Sequence, residues 1–283
     1  MQLSTSRTIR FDIDQEGELL VILLLVVVAL LGLAIGSFLN VVIHRVPAAA
    51  SLVRPGSHCP ACDHPIRARH NVPVLGWLVL RGRCADCRAP ISVRYPLVEL
   101  GTAVLFAAVT WRLLELDLLG ALPALLWFTA MGVSLAMIDL DVRRLPNAIV
   151  YPSYLVVAVL LTGAALLADD PAALLRAAIG AAVLYTGYFV LAFLYPAGMG
   201  FGDVKLAGII GGVLGFVGYP VLLVGAFAAF FIGAVVGIAK LLISRGRGDR
   251  LIPFGPFMIA GALLSLFVGP TVAELYSRLA LGG

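Results

Sequence analysis

Long apolar runs fill most of this 283-residue chain and restrict what it can fold into. The sequence is 61% hydrophobic and 13% charged, with a mean hydropathy of +1.04, whereas soluble domains are about 25% charged. A helix of about 20 apolar residues spans a bilayer. Eight segments reach or approach that length: 19–43, 97–114, 119–138, 149–168, 172–195, 204–219, 221–243 and 254–276. The sequence therefore predicts an all-α polytopic membrane protein with about eight transmembrane helices.

The basic residues are unevenly shared between the loops. If there are eight spans, one side of the membrane carries 15 of the 20 Lys and Arg. They are eight arginines in loop 45–96, then Arg143, Arg144, Lys205, Lys240, Arg245, Arg247 and Arg250. Positively charged loops stay in the cytoplasm, so this side is predicted to be cytoplasmic and both termini to lie outside. Because these residues are spread over several loops, the net charge of +4 does not indicate binding to nucleic acid.

Loop 45–96 carries a pattern typical of a small domain held together by a metal. It contains C-P-A-C at 59–62 and C-A-D-C at 84–87, two C-x₂-C pairs separated by 21 residues. Four thiolates at this spacing favour a closed, structural zinc site, and a reducing cytoplasm disfavours disulfides. About 50 residues build too small a core to fold unaided. The predicted ligands are Cys59, Cys62, Cys84 and Cys87. His58 and His64 are alternative ligands, although solvent-facing positions suit them better.

Two polar interruptions of the apolar pattern each contain an aspartate. In segment 138–147, Asp139 directly follows an apolar helix and Asp141 lies two residues further on. In the glycine-rich stretch 198–205, Asp203 precedes the next helix. The predicted topology brings Asp139 and Asp203 to the same membrane face. Two neighbouring carboxylates share a proton, and the ionised one activates water. We therefore predict an aspartic dyad and interpret Asp141 as part of a charged turn. The alternative for Asp203 is that it only caps the following helix.

Several motifs, taken in their order along the chain, resemble the type IV prepilin peptidases, the bifunctional leader peptidase/N-methyltransferase family. They are G-S-F-L-N-V-V at 36–42 followed by H-R-V-P at 44–47, the two C-x₂-C pairs, Y-P-L-V-E-L at 95–100, segment 139–147 and G-F-G-D at 200–203. The last is the G-x-G-D motif, which presenilin-type intramembrane proteases also carry. Together the motifs cover most of the chain.

This resemblance implies an aspartic endopeptidase of the bacterial inner membrane that acts at the cytoplasmic face. Its substrates are prepilins or pseudopilins of type IV pili or type II secretion, and it removes their short basic leader after a glycine. The two catalytic aspartates of the family correspond to Asp139, seven residues before Pro146, and to Asp203. The supporting residues of the motif are Gly200, Gly202 and Lys205.

The resemblance also implies a second activity, N-methylation of the new N-terminus with S-adenosylmethionine, located in the N-terminal cytoplasmic domain. No G-x-G-x-x-G loop follows a strand, so the sequence does not assign the residues that bind the methyl donor. The implied division of the chain is 1–18 as a polar tail, 19–44 as the first transmembrane helix, 45–96 as the cytoplasmic zinc-binding domain and 97–283 as the membrane peptidase domain.

Two other classes of protein are compatible with parts of the pattern. A zinc-bearing membrane assembly factor without catalytic activity explains the helices and the cysteines, but leaves the two aspartate loops without a role. An ion-coupled transporter also uses paired acids within the membrane, yet the two halves of this chain show no internal repeat.

Two finer expectations concern charge. A basic leader should be attracted by membrane lipid or by the few acids of the cytoplasmic face, namely Glu99, Asp141 and Asp249. Within the dyad, Asp139 lies at the C-terminal end of its helix, where the helix dipole disfavours an anion, and Asp203 lies at an N-terminal end, which favours one. We therefore predict that Asp139 carries the shared proton and that ionised Asp203 deprotonates the attacking water.

Overall fold

Helices dominate the computed structural model, which describes residues 15–196, 199–243 and 252–281. The predicted tail lies outside the described residues up to position 14, as do Gly198, Arg245, Arg247, Asp249 and Arg250. The helices are α1 (Gln15–Arg45), α2 (Leu75–Val79), α3 (Arg94–Glu115), α4 (Leu122–Val142), α5 (Asn147–Leu167), α6 (Pro171–Leu194), α7 (Phe201–Val217), α8 (Tyr219–Ile243) and α9 (Gly255–Leu281). The described residues form no β-strand, which confirms the all-α prediction.

Seven helices of the described part are long and apolar enough to cross a membrane: α1, α3, α4, α5, α6, α8 and α9. Each corresponds to a predicted span. The eighth predicted span, 204–219, is α7, which is shorter at 17 residues. At the other end of the chain, α1 begins at Gln15 and so extends into the region predicted as tail.

Helix α7 lies in the middle of the bundle, and twelve of its 17 residues are buried. Its small residues allow this, because α6 crosses it in direct backbone contact. A Cβ atom added at Gly180 of α6 would overlap the carbonyl oxygen of Gly211, and one added at Gly211 would overlap that of Gly180. Large apolar side chains such as Phe128 of α4 and Leu206 and Leu214 of α7 fill the surrounding core. The position of Asp203, in the first turn of α7, therefore depends on glycine packing.

A second close crossing joins α1 to α3. A Cβ added at Gly32 would lie 2.6 Å from the Cα atom of Ala103, and one added at Gly36 would lie 2.7 Å from that of Glu99. Further along, Leu39 of α1 and Val98 of α3 belong to a buried cluster with Ile138 of α4. This cluster attaches the α1–α3 pair to the helix that carries Asp139.

We predict that Gly180→Ala lowers the free energy of unfolding by about 1–3 kcal/mol, since the added methyl group overfills a site where two backbones touch. The matched control is Gly187→Ala on the same helix, where nothing lies within 4 Å of an added Cβ. Thermal unfolding in detergent should show a lower midpoint for Gly180→Ala alone. Equal midpoints for the two variants would show that the α6–α7 contact does not limit stability.

Candidate active site and metal centre

Asp139 lies in the last turn of α4 and is only 5% exposed. The helix ends three residues later, where Arg143 adopts a left-handed conformation (φ 53°) and its N–H donates to the carbonyl oxygen of Asp139. Oδ2 of Asp139 accepts a hydrogen bond from the backbone N–H of Gly255, at 3.1 Å. Gly255 is the first residue of α9, so the end of one helix and the start of another hold this carboxylate.

Asp203 lies in the first turn of α7 and is 9% exposed. Its backbone N–H donates to the carbonyl oxygen of Gly200, and its Oδ2 accepts from the N–H of Gly200 at 3.2 Å. The capping role considered from the sequence is therefore present. It does not exclude a second role, because the same side chain also lines a cleft.

The two aspartates meet in one cleft of about 840 Å³. Residues of four separate segments line it: the turn that follows α1, the last turn of α4, the α4–α5 loop and the start of α7. The predicted motif residues Gly200, Gly202 and Lys205 lie there as well. The structure thus brings together the predicted site residues of the two polar interruptions, at the end of the bundle that also bears loop 45–96.

Two glycines, Gly202 in this cleft and Gly255 beside Asp139, have close neighbours where a side chain would begin. A Cβ added at Gly202 would lie 3.2 Å from Cβ of Leu145 in the α4–α5 loop. One added at Gly255 would lie 2.7 Å from Oδ2 of Asp139. Gly255 was not among the predicted site residues, although its setting between Pro253 and Pro256 at the start of the last helix was a signal of a special backbone position.

Lys205 does not contact the dyad directly. Its ammonium group bonds to the side-chain oxygen of Asn147 and lies 5.2 Å and 5.5 Å from the ring centres of Tyr151 and Phe201. These contacts join the start of α7 to the start of α5. Lys205 therefore contributes to the shape of the cleft and to its positive charge.

Asp141 forms an ion pair with Arg94. Both of its carboxylate oxygens accept from the guanidinium of Arg94, at 2.8 Å and 2.6 Å. This agrees with the interpretation of Asp141 as part of a charged turn. The expected attraction of a basic leader by surface acids is weakened, because Asp141 is paired, Glu99 is 8% exposed and Asp249 lies outside the described residues.

The predicted placement of the proton within the dyad loses its main support. It assumed that only carbonyl groups surround Asp139, but the first N–H of α9 donates to this carboxylate just as the N–H of Gly200 donates to Asp203. Each aspartate therefore faces the positive end of one helix. The asymmetry that assigned the proton to Asp139 is smaller than the sequence indicated.

Four thiols converge in loop 45–96. The Sγ atoms of Cys59, Cys62, Cys84 and Cys87 all lie within 4.8 Å of one another. The separations are 3.8 Å for Cys59–Cys87 and 4.0 Å for Cys62–Cys84. A tetrahedral ion with metal–sulfur bonds of about 2.3 Å places its sulfur atoms about 3.8 Å apart, so the four cysteines fit a metal ion. His58 and His64 are exposed and stand outside this set.

The two C-x₂-C segments begin 25 residues apart and adopt the same type of turn. Cys59 N–H donates to His64 O at 3.0 Å, and Cys84 N–H donates to Ala89 O at 2.8 Å. Backbone N–H groups of Cys87 and Asp86 point at the sulfur of Cys84 and lower the pKa of its thiol, whereas the pKa of the Cys62 thiol is raised, against a backbone hydrogen bond from His64, by burial and by the three neighbouring thiols. Such N–H groups favour the thiolate, which is the form that binds a metal.

The structure is a polytopic helix bundle that gathers two buried aspartates in one cleft, and paired carboxylates of this kind are known to activate water in aspartic proteases. The chain belongs to the type IV leader peptidase family. Residues 124–238 match the model of that family, and residues 30–113 match the bacterial peptidase A24 N-terminal domain. The family predicted from the sequence motifs is confirmed.

Individual relatives agree with this assignment. Proteins named prepilin leader peptidase/N-methyltransferase from Aeromonas hydrophila, Stutzerimonas stutzeri and Pseudomonas aeruginosa are 39%, 35% and 32% identical to this chain. The alignments cover 88%, 88% and 89% of this chain and 92% of each relative. No solved structure gives a significant match. These relatives favour an enzyme over an assembly factor or a transporter.

Proposed function

We propose that this protein is a membrane-embedded aspartic endopeptidase that removes the basic leader of prepilin-like proteins after a glycine and then methylates the new N-terminus. The observation that carries the peptidase assignment is the burial of Asp139 and Asp203 in one cleft. The names of the relatives, prepilin leader peptidase/N-methyltransferase, supply the substrate class and the methylation step. The basic loops of this end of the bundle support placing the cleft at the cytoplasmic face of the inner membrane.

The proposed reaction uses the two aspartates as an acid and a base. Because like charges close together cannot both ionise easily, the pair holds one proton at neutral pH. The ionised carboxylate deprotonates a water molecule, which attacks the carbonyl carbon of the glycine, while the protonated carboxyl donates a hydrogen bond to the oxygen of that carbonyl. Transfer of a proton to the leaving amine then breaks the peptide bond. The backbone N–H groups of Gly200 and Gly255 orient the two carboxylates during these steps.

We propose that the two activities belong to different segments of the chain. Residues 97–283 form the peptidase domain, with 19–44 as its first membrane anchor, and 45–96 form the zinc domain associated with methylation. Cys59, Cys62, Cys84 and Cys87 would hold a structural zinc ion, which leaves no open coordination position for catalysis. In the second reaction the new amino group gains the methyl group of S-adenosylmethionine and releases a proton to water, and neutral S-adenosylhomocysteine leaves.

The dyad is tested by Asp139→Asn and Asp203→Asn. Each should reduce cleavage by about 10²–10⁴-fold, the usual effect of losing a general acid or base, while membrane insertion and thermal stability persist. The substrate is a peptide with a basic leader, a glycine, a phenylalanine and an apolar run, and mass spectrometry detects the released leader.

Asp141→Asn is the matched control, since it makes the same change two residues from Asp139 in a residue paired with Arg94 on the surface. It should retain most of the activity. An active Asp139→Asn beside an inactive Asp141→Asn would contradict the assignment.

Gly255→Ala tests the support of Asp139 without altering an ionisable group. The added methyl group would lie 2.7 Å from Oδ2 and must displace the carboxylate, so we expect cleavage to fall by about tenfold or more. Gly237→Ala on α8 is the control, because nothing lies within 4 Å of an added Cβ there. Wild-type rates for Gly255→Ala would show that the observed position of Asp139 is not the active one.

Metal analysis of the purified protein should find one zinc per chain. Cys62→Ser should lower this content and reduce methylation more than cleavage, because the aspartates lie in other segments. Ala61→Ser, which adds the same side chain at the neighbouring exposed position, should leave the zinc content unchanged. An active preparation without zinc would contradict the structural role.

A further inference from the structure

A second cavity, of about 690 Å³, lies where loop 45–96 covers the ends of α1 and α3. Ser37, Asn40 and His44 of α1 line it along one face, and Tyr95 and Glu99 of α3 line it from the neighbouring helix. The four-cysteine domain closes it from the other side. Its volume falls within the usual range for small-molecule sites, about 300–1,000 Å³.

The walls of this cavity are built by backbone contacts. The absence of a side chain at Gly36 lets α3 approach α1 directly beside Glu99. One helical turn further along α1, the side-chain amide of Asn40 donates to the carbonyl oxygen of Tyr95 at 3.2 Å. These contacts fix the two helices that carry Glu99 and His44, so the cavity is part of the folded structure.

Glu99 is the unusual residue of the cavity. It is only 8% exposed, and its Oε2 accepts one hydrogen bond, from the backbone N–H of Val74 at 2.7 Å. The other acid that lines the cavity, Asp86, is paired with Arg67. No basic side chain among the described residues forms an ion pair with Glu99. The carboxyl group of Glu99 therefore keeps oxygen lone pairs that no cationic side chain of the described residues occupies, and a cationic ligand in the cavity would supply that contact.

We infer that this cavity binds S-adenosylmethionine and that the carboxylate of Glu99 lies against its positively charged sulfonium group. The inference rests on the proposed methylation, and it names the site that the sequence did not assign. The flat rings of Trp77 and Tyr95 line the same cavity and offer surfaces for an adenine ring.

The relation between the two cavities supports this assignment. Arg45 and Ala48 line the second cavity, whereas Val46 and Pro47, between them in sequence, line the aspartate cleft. The last residue of α1 and the turn that follows it therefore form a wall shared by the two cavities. An N-terminus released at the dyad has a short path to a methyl donor on the other side of this wall.

The experiment measures binding of radiolabelled S-adenosylmethionine and of S-adenosylhomocysteine to the full-length protein in nanodiscs. The two ligands differ in the charge of the sulfur, which is positive only in S-adenosylmethionine. Glu99→Gln keeps an acceptor for the N–H of Val74 and removes the negative charge. We expect it to weaken binding of S-adenosylmethionine by about 10- to 100-fold, the range for a lost charge-assisted contact, and that of S-adenosylhomocysteine by less than about threefold. The second result also shows that the cavity of the variant is folded.

Glu115→Gln is the matched control, because it removes the same charge at the opposite end of α3, and it should leave both affinities unchanged. Equal losses for the two ligands, or no loss for either, would overturn the contact between Glu99 and the sulfonium. A wild-type protein that cleaves the peptide but binds neither ligand would instead overturn the proposed methylation.

Discussion

The proposed active site depends on two backbone hydrogen bonds, one to each buried aspartate. A carboxylate at the edge of a bilayer loses most of its hydration, and it keeps a defined position only if the protein supplies donors. Here the N–H groups of Gly200 and Gly255 supply them at 3.2 Å and 3.1 Å. Both glycines stand at the starts of helices, so the positions of α7 and α9 fix the geometry of the dyad.

Glycine contacts in turn fix those helices. The crossing of α6 and α7 brings Gly180 against Gly211, and Gly255 approaches the side chain of Asp139 so closely that no Cβ fits between them. Between lipid-embedded helices, burial of apolar surface gives little advantage over contact with lipid, and close packing of small residues takes its place. A glycine contact of the same kind joins α1 to α3 at Gly36 and shapes the cavity beside Glu99. Both proposed reactions therefore rely on glycine-mediated helix crossings.

Much of this arrangement was predictable, and the reasons differ between residues. The apolar runs give the positions of the spans, and the basic loops give their orientation. Together they place Asp139 and Asp203 at the same end of the bundle, so their convergence follows from topology alone. The spacing of the four cysteines likewise predicts their cluster. Gly255 and the cavity at Glu99 were not predictable, because each depends on contacts between segments distant in sequence. The protonation assignment was weakened for the same reason, since α9 supplies a donor that local sequence around Asp139 does not reveal.

The proposed mechanism requires Asp139 and Asp203 to act as one catalytic unit. The most direct test compares the turnover of the double variant Asp139→Asn/Asp203→Asn with that of each single variant on the same peptide. Residues that act together are strongly non-additive, so the double variant should cleave as slowly as the slower single variant, within about threefold. A loss in the double variant equal to the product of the two single losses would show that the aspartates act independently and would rule out a catalytic dyad.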